Sequence, residues 1–284
     1  MPDFSDFLIT TDFDRTLTAP DATIPRQNLD AIRFFMEHGG AFTVNTGRSL
    51  AMFRKYMREI PVNAPLLLYN GSAAYDPETG TFPFCHLIDL NMAETVRECM
   101  ALFPDMVVEI QGTDAHYTFR PNPMWEAFCR ANECRARITR PEDDIGPFIK
   151  MTVYGGFHAP TVSHLFQAAP EELARCDAVE SSLRRRYGSK VEIFRSGARI
   201  LDVHAKGVSK IQSARALQKA LNRKYLVCIG DAENDIAMLR GADFSYCPAD
   251  GVIAGQFETV CECAQGAVAD VIFRKIPQLP EKHP

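Results

Sequence analysis

The stretch TTDFDRTL, residues 10–17, places two carboxylates two residues apart, directly behind the first apolar run of the chain. The run is Phe7 to Ile9, the acids are Asp12 and Asp14, and Thr16 follows two residues further on. Like charges this close are unfavourable unless a cation neutralises them or one of them is protonated. A surface loop would solvate the pair, whereas at the end of a buried strand the pair predicts a bound cation.

The composition of the chain excludes several classes of protein. It has 284 residues, of which 46% are apolar and 24% charged, as expected for a globular chain of one large or two modest domains. The net charge of −5 gives no sign of a nucleic-acid-binding surface. No window approaches the roughly 18 unbroken apolar residues of a membrane span, and the acidic N-terminus lacks the layout of a secretory signal. We therefore expect a cytoplasmic monomer or homodimer without nucleic-acid or membrane partners.

The nine cysteines are scattered and form no CxxC pair. In a cytoplasmic protein this favours reduced thiols over disulfides or a zinc site. The isolated CEC at 261–263 is too small a group to hold a metal, and the seven histidines show no ligand spacing.

Strands and helices alternate over the first part of the chain. Apolar strands are predicted within residues 6–12, 41–48 and 65–72, and amphipathic helices within 25–40 and 49–60. Continuous apolar strands separated by amphipathic helices indicate a parallel sheet covered on both faces. The predicted fold class is α/β, with a doubly wound, Rossmann-like core.

The middle of the chain breaks this alternation. A hairpin signal, YDPETGTF at 75–82, is followed by mixed strands and helices, including a long helix over Pro170–Tyr187. We therefore predict an inserted α+β cap domain at residues 84–195. The stretch SGARILDVHAKG, residues 196–207, resumes the first pattern, which assigns residues 1–83 and 196–284 to the core.

Polar residues follow each predicted core strand, at the sheet edge where ligands bind in open parallel sheets. The first strand ends in Asp12 and Asp14, the second in NTGR at 45–48, and the strand before residue 230 in GDAEND at 230–235. Lys210 begins the helix that precedes this last strand. Each residue alone is more typical of a helix cap, a turn or a surface position than of catalysis, but together they indicate one site.

Phosphoryl transfer is the chemistry that suits these residues. Asp12 can act as a carboxylate nucleophile, and Asp14 can protonate the leaving oxygen and then activate water. Asp12 and Asp231 are suitable carboxylate ligands for Mg²⁺. Thr46 can donate its hydroxyl and backbone N–H to a phosphate oxygen, and Lys210 supplies a positive charge for the nucleophile and the transition state. No GxxxxGK, GxSxG or HExxH sequence offers a competing mechanism.

Four ordered motifs resemble those of the haloacid dehalogenase superfamily, and within it the Cof-type, class IIB phosphatases. They are DFDRT at 12–16, NTGR at 45–48, KGVSK at 206–210 and GDAEND at 230–235. The resemblance spans the whole core, and the second and third motifs are separated by an insertion of the size of a cap.

The resemblance implies a role for each matching residue. Asp12 would be the nucleophile, Asp14 the acid/base and a metal ligand through its backbone carbonyl, and Asp231 the third protein ligand of Mg²⁺. Asn234 and Asp235 would orient metal waters or Lys210. Lys206 is the second candidate for the role given to Lys210. The residues expected at the substrate are Thr46, Gly47, Arg48, Lys210 and Asn234.

One departure from the family pattern is Arg15, where relatives usually carry glycine. Arg15 either reaches a second anionic group of the substrate or points to solvent. The predicted function is a Mg²⁺-dependent phosphatase that hydrolyses a small phosphorylated metabolite, such as a sugar phosphate, through an aspartyl-phosphate. The alternatives are a phosphotransferase or phosphomutase using the same intermediate, a phospho-accepting receiver-like signalling protein, and a binding protein without turnover.

Overall fold

The computed structural model describes residues 2–156 and 167–279. Contacts within the described part divide it into two units. The core unit comprises three described segments, namely the residues up to 46, residues 56–83 and the residues from 209 onward. The cap unit comprises residues 47–55 and the described residues between 84 and 208.

The strands, in chain order, are β1 Phe7–Thr11, β2 Ala41–Val44, β3 Leu66–Leu68, β4 Ala73–Asp76, β5 Thr81–Cys85, β6 Val107–Gln111, β7 His116–Thr118, β8 Ala136–Ile138, β9 Lys150–Tyr154, β10 Val191–Gly197, β11 Ile200–Ala205, β12 Tyr225–Ile229, β13 Phe244–Pro248 and β14 Glu258–Val260. The α-helices are α1 Arg26–Glu37, α2 Leu50–Phe53, α3 Met92–Leu102, α4 Pro123–Ala131, α5 Pro170–Tyr187, α6 Lys210–Ala220, α7 Ile236–Gly241 and α8 Ala267–Asp270. No helix in the described ranges is long and apolar enough to cross a membrane.

A five-stranded parallel sheet forms the centre of the core unit, in the order β14-β13-β12-β1-β2. In β1, Leu8 and Ile9 point to opposite faces of the sheet and both are fully buried. This burial on two faces explains why the strand is a continuous apolar run rather than an alternating one. The predicted fold class, an α/β core with an added cap sheet, is confirmed.

Two predicted elements of the core differ from the structure. The apolar stretch at 65–72 forms β3, which pairs antiparallel with β4 and touches the parallel sheet through a bridge between Asn45 and Leu67. The helix predicted over 49–60 is only α2, followed by a single 3₁₀ turn at Arg54–Tyr56. Residues 47–55 also group with the cap unit rather than with the core.

The cap unit is built on a six-stranded sheet in the order β10-β11-β9-β6-β7-β8. One face is apolar, with Val108, Ile110 and Met151 in a cluster with residues of α3 and α5. Alternate positions on the same strands carry buried polar side chains, among them Glu109 and Thr152. The helix α5 has the predicted bounds, and its acidic first turn and basic last turn suit the helix dipole.

The assignment of residues 196–207 to the core was wrong. Strand β11, which fills most of this stretch, pairs antiparallel with β10 and β9 in the cap sheet. Nearly every residue of β11 is buried, because this strand lies inside its sheet. A short apolar strand of this kind has the same sequence pattern in a parallel and in an antiparallel sheet, so the pattern could not show which sheet the strand joins. The long segment of the cap unit runs from Phe84 to Val208, whereas the insertion was predicted to end at residue 195.

Candidate active site

The first strand delivers Asp12 to the carboxyl edge of the core sheet. The backbone N–H of Asp12 still donates to the Ile229 carbonyl at 2.8 Å, so the residue continues the pairing of β1 with β12. The chain then turns over Phe13–Leu17, and Arg15 adopts a left-handed conformation with φ 59°. Asp12 is buried, Asp14 is half-buried and Arg15 is exposed.

The first residue of α6 provides the positive charge of the site. The Lys210 ammonium is buried and lies 2.5 Å from Asp12 Oδ1 and 2.7 Å from Asp235 Oδ1. Burial alone lowers the pKa of Lys210, but the two carboxylates outweigh it and hold this pKa above its usual value. Lys206, the second candidate, is half-exposed and pairs with Glu192 in the cap unit. The geometry therefore favours Lys210.

Three carboxylates converge around this lysine. One oxygen from each of Asp12, Asp231 and Asp235 lies within 4.8 Å of the other two. The two oxygens of Asp235 are already engaged, because Oδ1 accepts from Lys210 and Oδ2 accepts the backbone N–H groups of Asp231 and Ala232 at 3.2 Å. Asp12 and Asp231 are consequently the better candidates for metal ligands. The Asp14 carboxylate does not belong to this group.

The close packing of the fourth motif depends on a glycine. A Cβ atom added to Gly230 would lie 2.6 Å from both Cβ and Cγ of Asp235. A residue with a side chain at this position would displace Asp235 and with it the contact to Lys210.

Burial and mutual repulsion change the acidity of the cluster. Burial raises the pKa of Asp12 well above its usual range, and the charges of Asp235 and Asp231 add to this against the opposing effect of Lys210. Burial and the charge of Asp235 raise the pKa of Asp231 to about 7. Three carboxylates with one ammonium leave an excess of negative charge, and a divalent cation would compensate it. Oxygen ligands of this kind fit Mg²⁺.

The other predicted site residues occupy different environments. Thr46 is buried in the core unit, but its backbone N–H donates to the Leu67 carbonyl at 2.9 Å. This N–H is therefore already engaged, contrary to the prediction that it binds phosphate, and the role of the hydroxyl stays a prediction. Asn234 is half-buried in the turn before α7. Gly47 and Arg48 belong to the cap unit, where the Gly47 carbonyl accepts from Lys150 Nζ at 3.0 Å. Their contacts with substrate remain predictions.

Two residues support the site in ways that the sequence did not reveal. The Thr16 hydroxyl donates to Asp231 Oδ1 at 2.9 Å and so links the first motif to the fourth. The Asn45 side chain donates to the Lys210 carbonyl at 2.9 Å and holds the start of α6 against β2. Both residues lie inside recognised motifs, which was the available signal, but their partners come from distant parts of the chain.

Comparison with known proteins gives the class of this enzyme. A family model described as haloacid dehalogenase-like hydrolase matches residues 9–252. A 5-amino-6-(5-phospho-D-ribitylamino)uracil phosphatase of Bacillus subtilis (strain 168) is 21% identical over 265 residues, which cover 87% of this chain and 88% of the relative.

Solved structures show the same fold. A haloacid dehalogenase-like hydrolase from Bacteroides thetaiotaomicron has a TM-score of 0.76 at 19% identity, covering 93% of this chain and 97% of that one. Another from B. subtilis has a TM-score of 0.75 at 18% identity, covering 95% and 99%. The fold and the carboxylate–lysine cluster thus define an enzyme of the phosphatase class. The chain belongs to the haloacid dehalogenase-like hydrolase family, as a Cof-type member, and this prediction is confirmed.

Proposed function

We propose that the protein is a Mg²⁺-dependent phosphatase that hydrolyses a small phosphorylated metabolite through a phosphoryl group carried on Asp12. The observation that carries the proposal is the buried contact between Asp12 and Lys210 beside Asp231 and Asp235. A predicted cytoplasmic location and a monomeric or homodimeric state accompany the proposal.

The nucleophile is the best supported part of the mechanism. Lys210 holds Oδ1 of Asp12, so the side chain is fixed and its second oxygen is the one that we assign to the attack on phosphorus. The new Asp12–phosphorus bond forms as the bond to the leaving alcohol oxygen breaks. Lys210 also offsets negative charge that develops on the transferring group.

Asp14 is assigned to the proton transfers. It is half-buried on the turn that follows Asp12, whereas Asp12 is buried. Protonated Asp14 gives its proton to the leaving oxygen, and its carboxylate then removes a proton from the water that attacks the phosphorylated Asp12. Inorganic phosphate leaves and the starting carboxylates are restored. The Thr46 hydroxyl is assigned to a phosphate oxygen.

Asp12, Asp231 and the Asp14 backbone carbonyl are the residues that would hold Mg²⁺. The bound ion would neutralise the crowded carboxylates and the phosphate of the substrate. The pKa values of Asp12 and Asp231 are raised first by burial and then by neighbouring carboxylates, and a bound cation would offset both effects, which supports this assignment.

The proposed substrate class is a sugar phosphate or a similar phosphomonoester. The B. subtilis relative is named for a phosphomonoester that carries a ribityl chain, which supports this class. Gly47, Arg48 and Asn234 are proposed as further substrate contacts.

The test combines three matched substitutions. Asp12→Asn should abolish phosphate release from a generic phosphomonoester, and Asp14→Asn should slow turnover and accumulate protein heavier by one phosphoryl group. Asp6→Asn, on the exposed segment before β1, is the control and should keep full activity. Peptide mapping should place the phosphoryl group on Asp12, and release of phosphate by Asp12→Asn at the rate of the unmodified protein would rule out the mechanism.

Two alternatives give different results in the same assay. A phosphotransferase or phosphomutase would convert substrate while transferring the phosphoryl group to a second sugar instead of releasing phosphate. A receiver-like protein would hold phosphorylated Asp12 for minutes in Mg²⁺, whereas the hydrolase should lose it within a turnover.

A further inference from the structure

A second group of side chains that could hold a metal ion lies inside the cap unit, remote in sequence from the four motifs. Cys129 is in the last turn of α4, which is followed by Glu133 in a left-handed conformation with φ 55°. This residue reverses the chain, so that the Cys134 N–H donates to the Cys129 carbonyl at 3.0 Å. The reversal brings the Cys134 sulfur back towards that of Cys129.

His116 completes the cluster from a neighbouring strand. It begins β7, and its backbone N–H donates to the Arg135 carbonyl at 2.8 Å, which places it beside Cys134. One ligand atom from each of His116, Cys129 and Cys134 lies within 4.8 Å of the other two. His116 and Cys129 are fully buried, and Cys134 is 6% exposed.

We infer that His116, Cys129 and Cys134 bind a soft divalent cation, zinc, as a structural site within the cap unit. Two thiolates and one imidazole are a common zinc ligand set. The ligand atoms of a tetrahedral zinc site lie roughly 3.5–3.8 Å apart, given Zn–S bonds of about 2.3 Å and Zn–N bonds of about 2.0–2.1 Å. The three side chains therefore need only small movements to close on the ion.

Glu109 supplies the supporting contact that metal-bound histidines usually have. Its buried carboxylate accepts from His116 Nδ1 at 2.8 Å, and also from Trp125 Nε1, the Tyr154 hydroxyl and Gln111 Nε2 at 2.8–2.9 Å. Because Nδ1 is committed to Glu109, Nε2 is the nitrogen that faces the ion.

Ser49 is a candidate for the fourth ligand. Its Oγ lies 2.7 Å from His116 Nε2 and also accepts the backbone N–H of Met52.

The burial of all three ligands indicates a structural ion rather than a catalytic one, since a catalytic zinc keeps a position open to substrate. The chemistry also separates this site from the carboxylate cluster of the core unit, because hard oxygen ligands suit Mg²⁺ while thiolates suit zinc. No sequence motif predicted this site. The two cysteines are five residues apart instead of three, and the histidine comes from another strand.

The experiment measures metal directly on the full, untagged chain. The protein is incubated with zinc, passed into metal-free buffer and analysed by mass spectrometry for bound metal. We expect one tightly held zinc per chain, which Cys129→Ser and Cys134→Ser each remove, while Cys99→Ser retains it. Cys99 is equally buried in the same unit but lies outside the cluster, so it controls for the loss of any buried thiol.

Cobalt(II) provides a readout that does not depend on a variant folding. Cobalt added to the unmodified protein should give a thiolate charge-transfer band in the near ultraviolet and visible bands of a tetrahedral ion. Asp231→Asn should leave these bands unchanged. The inference is overturned if no thiolate band forms, if zinc binding survives both cysteine substitutions, or if the purified chain carries a disulfide between Cys129 and Cys134.

Discussion

Replacing Asp231 with asparagine should stabilise the metal-free protein at alkaline pH although it should remove Mg²⁺-dependent activity. The Asp231 carboxylate is buried next to Asp12 and Asp235 and must ionise against their charges. Asparagine has nearly the same shape, and its side-chain oxygen can still accept from the Thr16 hydroxyl, so the substitution removes charge with little change in packing.

The size of the effect follows from the pKa of Asp231, which burial and Asp235 raise from its ordinary value of 3.8 to about 7. At about 1.4 kcal/mol per pKa unit, ionising this carboxylate in the folded protein costs roughly 4 kcal/mol. The folded-state pKa lies above the unfolded one, so the penalty is absent below about pH 4 and complete once the pH has risen through 7.

The assay is urea denaturation in a chelator between pH 5 and pH 8.5. The free energy of unfolding of the unmodified protein should fall as the pH rises through this range, and that of Asp231→Asn should fall much less. Asp30→Asn is the control, because Asp30 is exposed on α1, and its pH dependence should match that of the unmodified protein. Added Mg²⁺ should stabilise the unmodified protein at pH 8 and not the variant. A variant no more stable than the unmodified protein at pH 8 in chelator would refute the argument from repulsion.

Three further substitutions test the same site. Lys210→Met leaves Asp12 and Asp235 without their buried partner. We expect the free energy of unfolding in urea to fall by about 3–5 kcal/mol and the rate of phosphate release to fall by at least about 100-fold. Unchanged stability would contradict the pairing. Gly230→Ala should destabilise the protein by about 1–3 kcal/mol and reduce activity, because the new methyl carbon would lie 2.6 Å from Cβ and Cγ of Asp235. If the variant matched the unmodified protein in both stability and activity, this close approach would be unimportant. Arg15→Gly should leave activity intact. The stability of this variant should differ from that of the unmodified protein by less than about 1 kcal/mol, because relief of the left-handed strain at Arg15 offsets the greater entropy of glycine in the unfolded chain. A tenfold rise in KM would instead place Arg15 at the substrate.

Most of the core and its charged residues could be predicted from sequence, because the relevant signals are local. An apolar run followed by a carboxylate predicts a buried strand with an acid at its end, and β1 with Asp12 is such a case. The bounds of α5 followed from its proline start and amphipathic pattern. Ordered motifs at strand ends then predicted one shared site, since the carboxyl ends of parallel strands meet at one edge of a sheet.

What remained undetermined depends on which strands become neighbours. The sequence could not assign β11 to the cap sheet, because its apolar run suits either sheet equally well. It also left open whether Asp235 orients the metal waters or Lys210, and the structure shows Asp235 in contact with Lys210.

Local sequence patterns were enough to identify the family, the α/β core, and the acids and the lysine that we assign to catalysis. The folded structure was needed to show that Thr16 holds Asp231 and that His116 lies beside two cysteines inside the cap unit. A strand's own residues set its burial and periodicity, whereas side-chain contacts across a sheet depend on strand order and register, which no local pattern encodes.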